Sequence, residues 1–233
     1  EDTWQMCYDS SYWKNGPVLN NAISGVDQAL WDIKGKMANM PVYELLGGKA
    51  REAADLYGHA EGAEIADTIA GAKRYMADGF RHVRIQVGTP GMAGYGSPNG
   101  GGRIPSLHDR PVFEREGARK RALALFETAR KELGENVKLL HDAHERYTPT
   151  QAVELCKQAE KYRLFFLEDP LSPEDIEWFH NIRAQCATPL AMGELFNSPH
   201  EWTPLIKDRL IDYMRMHISQ MGGLTPARKV AAM

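Results

Sequence analysis

Apolar positions recur along this chain with two alternating periods, one helical and one extended. From Asn21 the run NAISGVDQALWDIKGKMAN places Ile23, Val26, Leu30, Ile33 and Met37 at helical spacing. This predicts an amphipathic helix with Asn21 or Ser24 at its start. Pro41 ends it, PVYELL predicts a short second helix, and Gly47-Gly48 closes the segment. Residues 54–60, ADLYGHA, read as a short strand with His59 near its end, followed by a helix over 63–78. HVRIQVG is the next strand, and its alternation puts Arg84 and Gln86 on one face and Val83, Ile85 and Val87 on the other. Further helices are predicted at 113–133, 149–162, 173–185 and 199–207, with strands at 137–142, 163–168, 188–193 and 211–218. A last helical pattern, TPARKVAAM, follows Gly222-Gly223.

Strand and helix therefore alternate from His59 onward with no hairpin signal, which predicts a parallel sheet. This amounts to about six of the eight βα units of a barrel, preceded by a helical segment. A doubly wound sheet is the alternative, but it gathers ligands at one switch point rather than on successive strands. Two stretches break the pattern. Residues 1–20 carry Trp4, Tyr8, Tyr12 and Trp13 without a period, and serve equally as part of a core or as a ligand wall. Residues 88–112 are rich in Gly and Pro; their place after the strand bearing Arg84 predicts a lid-like loop at the catalytic end of a barrel.

The chemistry concentrates at three strand ends. LLHDAHERYTP ends a strand at Asp142, with His144 two positions on, FFLEDP brings Glu168, and PLAMGE brings Glu194. Each acid lies 26 positions after the previous one, close to the length of a repeating βα unit in a barrel. Alternation in a strand would aim Asp142 and His144 the same way. Three carboxylates with no Cys or His pair suit a hard cation that keeps open positions for water and substrate, so Mg²⁺ is expected rather than Zn²⁺. An imidazole at His144 can act as general acid or base near neutral pH. Arg84 can orient a carboxylate or lower the pKa of a neighbouring phenol. Arg215 and His217 of YMRMHIS read as substrate contacts on the sixth strand. The triple glycine 100–102 lacks the Lys-Ser/Thr of a phosphate cradle.

Charge and composition narrow the partners. The net charge is −3, which gives no bulk attraction to nucleic acid or to an anionic membrane. No apolar run approaches the roughly 20 residues that span a bilayer. Cys7, Cys156 and Cys186 are odd in number, so a disulfide scaffold is not expected and a reducing cytoplasm is the default location. The chain opens at Glu1 without an initiator Met and stops at Met233 inside a helical pattern. It reads as a piece of a longer polypeptide.

SGVDQALWDIKGK with PVYELLGG, then DAHERYTP, FFLEDP, MGELF and MRMHISQMGGLTPARK, together resemble the enolase superfamily. Within it the resemblance is to the mannonate dehydratase subgroup, also described as D-galactonate dehydratase-like or starvation-sensing proteins. The resemblance implies a modified TIM (β/α) barrel of the enolase type with part of an N-terminal capping domain, truncated at both ends. Residues 1–53 would be the end of the capping domain with linking helices, and 54–233 an incomplete barrel. It implies Mg²⁺ on Asp142, Glu168 and Glu194, and dehydration of a sugar acid, D-mannonate and/or D-gluconate, to 2-keto-3-deoxygluconate. The Lys-x-Lys usual on the second barrel strand is replaced here by Arg84-Ile85-Gln86, as in this subgroup, where a loop Tyr paired with the Arg is the base. Tyr95 matches that base, His144 the general acid, and His59 and Arg215 substrate-binding positions; Glu194 would touch substrate as well as metal. The same family admits a low-activity or non-catalytic metabolite-binding, regulatory member. The expected partner is a small sugar acid, with symmetric homo-oligomers implied by the family.

Overall fold

A computed structural model of the chain describes residues 1–10, 12–89 and 113–233. In chain order the elements are α1 (Asp2–Ser10), α2 (Pro17–Met37), α3 (Val42–Leu45), β1 (Tyr57–Gly62), α4 (Ile65–Ala77), β2 (His82–Val87) and α5 (Arg115–Leu133). Then come β3 (Lys138–Asp142), α6 (Pro149–Ala159), β4 (Phe166–Glu168), α7 (Phe179–Gln185), β5 (Leu190–Met192), α8 (Pro199–Lys207), β6 (Tyr213–Met214) and α9 (Leu224–Ala232). The chain forms two compact units, one made of 55–191 and the other of 1–54 with 192–233.

In the unit 55–191 the strands pair in parallel in the order β1-β2-β3-β4-β5. The alternating βα pattern thus gives the expected α/β fold with a parallel sheet. Its strands are short apolar runs: Val83, Ile85, Leu139, Leu167, Leu190 and Ala191 are fully buried, as strands are when both faces of a parallel sheet are covered. The two-faced reading of β2 is refined accordingly, since Arg84 and Gln86 are buried along with Val83, Ile85 and Val87. One face carries Leu140, Phe166 and Ala191, with Tyr57 and Phe165 packed against them. The helices bury one stripe each, as Ala118, Ala122, Leu125, Phe126, Ala129 and Leu133 do on α5. The turn that leads from β3 into α6 is set by Pro149 at the first helical position and by a capping box in which Thr148 and Gln151 satisfy each other's backbone.

The other unit corrects an expectation. On α2 only Ile23 of the predicted apolar stripe is buried; Val26, Leu30, Ile33 and Met37 are 41–85 % exposed. The buried stripe is polar: Asn20, Ser24 and Asp27. Its partners lie far along the chain. Asn20 Nδ2 donates to the carbonyls of Asn197 and Gln220, 2.8 Å each. The Asp27 carboxylate accepts from Thr225 N (2.9 Å) and Thr225 Oγ1 (2.6 Å), capping the first turn of α9 from outside. Trp31 Nε1 donates to the same hydroxyl at 3.0 Å, and Trp4 Nε1 to the Gly222 carbonyl at 2.7 Å. Gly223 has φ 117°, and a Cβ there would run into Asp27. Of the 1–20 aromatic segment, Trp4 and Tyr8 lie on helix α1 and stack at 5.1 Å, while Tyr12 and Trp13 fall beyond it. Predicted strand 211–218 shrinks to β6, because after Arg215 the chain turns back on itself through Met221 N to His217 O and Gly223 N to Ile218 O.

Cys7, Cys156 and Cys186 are free. Among the described residues no helix is long and apolar enough to cross a membrane. Removing a buried carboxylate that serves two donors leaves both without a partner, so Asp27→Ala is expected to lower stability by about 2–4 kcal/mol. A lower urea midpoint at unchanged m-value would register this; an unchanged midpoint would mean that water replaces the carboxylate.

Candidate metal and acid–base site

The site in the unit 55–191 is set by strand register. β1 pairs with β2 so that His59 lies opposite Arg84, and β3 pairs with β4 so that Asp142 lies opposite Glu168. Strand-end side chains on one face of adjacent parallel strands converge, and here they are charged. Asp142 is 2 % exposed and Glu168 is fully buried.

Arg84 is the hub. Its Nη1 donates to Asp142 Oδ2 at 3.2 Å. Its Nη2 lies 3.3 Å from His59 Nδ1 and donates to Glu61 Oε1 at 3.2 Å. The His59 ring is stacked on Tyr57 with centroids 5.1 Å apart, which fixes its plane. Arg84 therefore has carboxylate partners on both sides. Tyr95, its expected partner, lies outside the described residues, as do residues 90–112 of the expected lid.

The second convergence is at the end of β3. The His144 backbone N–H donates to Asp142 Oδ1 at 2.9 Å, and His144 Nε2 lies 3.1 Å from Asp142 Oδ2. Strand alternation is not what brings them together, because β3 ends at Asp142. His144 and Glu145 take left-handed conformations, φ 53° and 58°, and this tight turn swings the imidazole back over the carboxylate. Non-glycine residues pay about 1–2 kcal/mol each for such a conformation. The turn is pinned from β4, where Asp169 O accepts from Glu145 N at 2.8 Å.

Carboxylate oxygens of Asp142, Glu168 and Asp169 lie within 4.8 Å of one another, all three buried. Three buried acids at that spacing repel strongly unless positive charge is shared among them. The donor set is all hard oxygen, and a hard divalent cation such as Mg²⁺ fits it. Nothing in the sequence pattern marks Asp169, which follows Glu168 directly in LEDP, or Glu61, two positions after His59 on β1.

His141, next to Asp142, serves structure. Burial pushes its imidazole down to about 4, so it is neutral, and its Nδ1 carries the proton that is donated to the Ile85 carbonyl at 2.9 Å. A cleft lined by Gln86, Asp142, His144, Arg146, Tyr147 and Phe113 opens beside the acids. Burial raises the Tyr147 phenol to about 12.

In the unit of 1–54 with 192–233, Arg215 Nη2 is 3.6 Å from Glu194 Oε2 and Arg215 N donates to the Met192 carbonyl at 3.0 Å. Gly193, φ 132°, separates β5 from Glu194; a Cβ there would come 2.7 Å from the Arg215 carbonyl. His217 falls beyond β6 and is exposed, with Nδ1 3.0 Å from Ser219 Oγ.

Residues 67–233 match the family described as enolase C-terminal domain-like, and residues 1–47 match the N-terminal domain of mandelate racemase and muconate lactonizing enzyme. The chain belongs to the enolase superfamily. A D-galactonate dehydratase family member from Enterococcus gallinarum is 47 % identical over 234 residues, covering all of this chain and 57 % of that protein. The family member RspA from Pantoea ananatis is 47 % identical, with 99 % of this chain and 58 % of the relative covered. The crystal structure of an enolase from Pantoea ananatis with bound D-gluconate and Mg superposes with a TM-score of 0.90 at 46 % identity, over 99 % of this chain and 59 % of that one. L-talarate dehydratase from Polaromonas, solved with Mg and L-glucarate, gives 0.78 at 26 % identity, over 99 % of this chain and 58 % of that one. The chain thus spans a little under three fifths of these superfamily relatives.

The two ion pairs of Arg84 differ in burial, and so in worth. Arg84→Met leaves the Asp142 carboxylate buried without that guanidinium and is expected to cost about 3–5 kcal/mol in cation-free protein. Glu61, whose side chain is 46 % exposed, should lose less than about 1 kcal/mol on change to Gln. Urea unfolding of both variants in a chelating buffer makes the comparison, and equal losses would contradict the assignment of Asp142 as the buried partner.

Proposed function

We propose that the protein is a Mg²⁺-dependent sugar-acid dehydratase that takes D-mannonate and/or D-gluconate to 2-keto-3-deoxygluconate. The observation that carries this reading is the imidazole of His144 held 3.1 Å from Asp142 Oδ2 beside a buried group of acids, in a chain of the enolase superfamily. The relatives named as dehydratases support the reaction class, and the D-gluconate and Mg in the Pantoea ananatis enolase support the ligand class.

In this reading Asp142, Glu168 and Glu194 hold the cation. Bound Mg²⁺ supplies positive charge where the substrate carboxylate gains negative charge on loss of the α-proton. The protein's own residues do the rest. Tyr95, paired with Arg84, takes the proton from the carbon next to the carboxylate. His144, in its protonated form, gives a proton to the 3-hydroxyl as the C3–O bond breaks, so that water leaves and an enol remains. The enol tautomerises to the 2-keto acid. His59 and Arg215 bind the substrate hydroxyls and carboxylate, and Glu194 contacts the substrate as well. An acid group at His144 is worth about 10²–10⁴ in rate.

The test uses the full-length polypeptide with Mg²⁺ and a panel of sugar acids, scoring 2-keto-3-deoxy product. Turnover on D-mannonate or D-gluconate is expected, with loss on chelation and a fall of about 10²–10⁴ in kcat for His144→Asn. Tyr95→Phe should abolish turnover; retained activity would move the base elsewhere. Tight Mg²⁺ binding with no product from any acid would overturn the dehydratase in favour of a metabolite-binding, regulatory protein.

A further inference from the structure

The ladder between β2 and β3 runs through His82–Lys138, Val83–Leu139 and Arg84–Leu140 and stops there. Asp142 lies two residues beyond the last pair. Two buried side chains close the gap. His141 Nδ1 donates back to the Ile85 carbonyl at 2.9 Å, and Gln86 Nε2 donates across to the Asp142 carbonyl at 2.8 Å. Gln86 is 2 % exposed.

The second of these bonds falls on the peptide that joins Asp142 to Ala143. The other edge of that peptide is held from β4, where the Ala143 N–H donates to the Glu168 carbonyl at 2.8 Å. Its plane is therefore clamped from both neighbouring strands, by a side chain on one side and by backbone on the other. The Asp142 carboxylate and the left-handed His144 turn both hang from this one peptide, and they bond to each other. Rotation of the plane would re-aim both at once.

We propose that Gln86 is a positioning residue: its amide fixes the 142–143 peptide and so aims the Asp142 carboxylate and the His144 imidazole together. The side chain holds it while the strand leaves the sheet, which the turn at His144 requires. The Mg²⁺ arm of the test below rests on the dehydratase reading; the exchange arm does not.

Thr68 supplies the control. Its hydroxyl donates to the Gln86 backbone carbonyl at 2.6 Å, fully buried, and ties β2 to α4 without touching Asp142. In the full-length polypeptide, Gln86→Met removes the donor at similar volume, and Thr68→Val removes the neighbouring bond at similar volume. Amide hydrogen exchange over 142–146 is expected to speed up at least about tenfold in Gln86→Met and to stay within twofold in Thr68→Val. The Kd for Mg²⁺, by calorimetry with the metal alone, should rise about 10–100-fold in Gln86→Met, as for partners that orient a metal ligand, and not in Thr68→Val. Should the Met variant not fold, Gln86→Asn, whose amide is one methylene too short to reach, is read in the same way. Unchanged exchange at 142–146 in a folded Gln86 variant overturns the proposal, as does an equal effect from Thr68→Val. Wild-type protein that binds no Mg²⁺ while the exchange result holds would remove the metal reading and leave the positioning role standing.

Discussion

Like charges packed at the end of a sheet are the constraint from which this structure follows. Asp142 and Glu168 face each other across adjacent strands with almost no solvent, and Asp169 joins them. Two unit charges about 4 Å apart interact by roughly 4 kcal/mol at an effective dielectric of 20. A fold can carry that repulsion only if positive charge is brought to the same place. Arg84 comes from the strand next to Asp142, and its reach depends on the β2–β3 register. A one-residue slip in either strand would send guanidinium and carboxylate to opposite faces and leave both buried without each other. The short buried apolar runs of β2 to β5 fix the register, and the register makes the acid cluster tolerable.

The other unit depends on a polar version of the same logic. A helix usually buries its apolar stripe, yet α2 buries Asn20, Ser24 and Asp27 and exposes Val26, Leu30, Ile33 and Met37. Each of the buried polar groups Asn20 and Asp27 meets backbone that no strand or helix satisfies, at Asn197, Gln220 and the first turn of α9. These bonds bring residues almost two hundred positions apart into one unit. They specify where the chain lies more sharply than apolar contact would, because a hydrogen bond is directional.

The order of strands and helices was legible because period and punctuation are local: Thr148-Pro149, Ser198-Pro199 and the glycines after α3, α4 and α5 mark boundaries in the chain itself. The placing of Asp142 and Glu168 at the ends of adjacent strands was legible for a related reason, since equal spacing reflects equal βα units. What could not be read is whatever depends on pairing between distant strands. Nothing local says that Gln86 reaches the Asp142 carbonyl, that Glu61 shares Arg84 with His59, or that His141 is spent on the Ile85 carbonyl. His144 was found by the wrong geometry. Alternation aimed it correctly, but β3 ends two residues earlier and a left-handed turn does the aiming. The α2 stripe failed because period alone does not say which face meets a partner. In that helix both faces have a helical period, one apolar and one of small polar residues.

The aiming of these strand ends has a common device. Each of β3, β4 and β5 is followed at once or within three residues by a left-handed backbone: His144 and Glu145, then Asp169, then Gly193. β1 and β2 have no such residue directly after them among the described positions. A left-handed residue turns the chain out of the sheet in one step, so the side chain at the strand end is not carried along into a longer extended segment. For His144, Glu145 and Asp169 the conformation is costly, and residues that bear it are held there by their surroundings. The holding bonds are on view: Glu145 N to the Asp169 carbonyl, Asp169 N to the Ala191 carbonyl, Ala143 N to the Glu168 carbonyl. Each runs from one strand end to the next, so the strained turns support one another around the acid-bearing edge. The strain is then a property of the row and not of any single residue. Loosening one turn would shift its neighbour's acid as well as its own, and for that reason a single side-chain clamp at Gln86 can govern more than the peptide it touches.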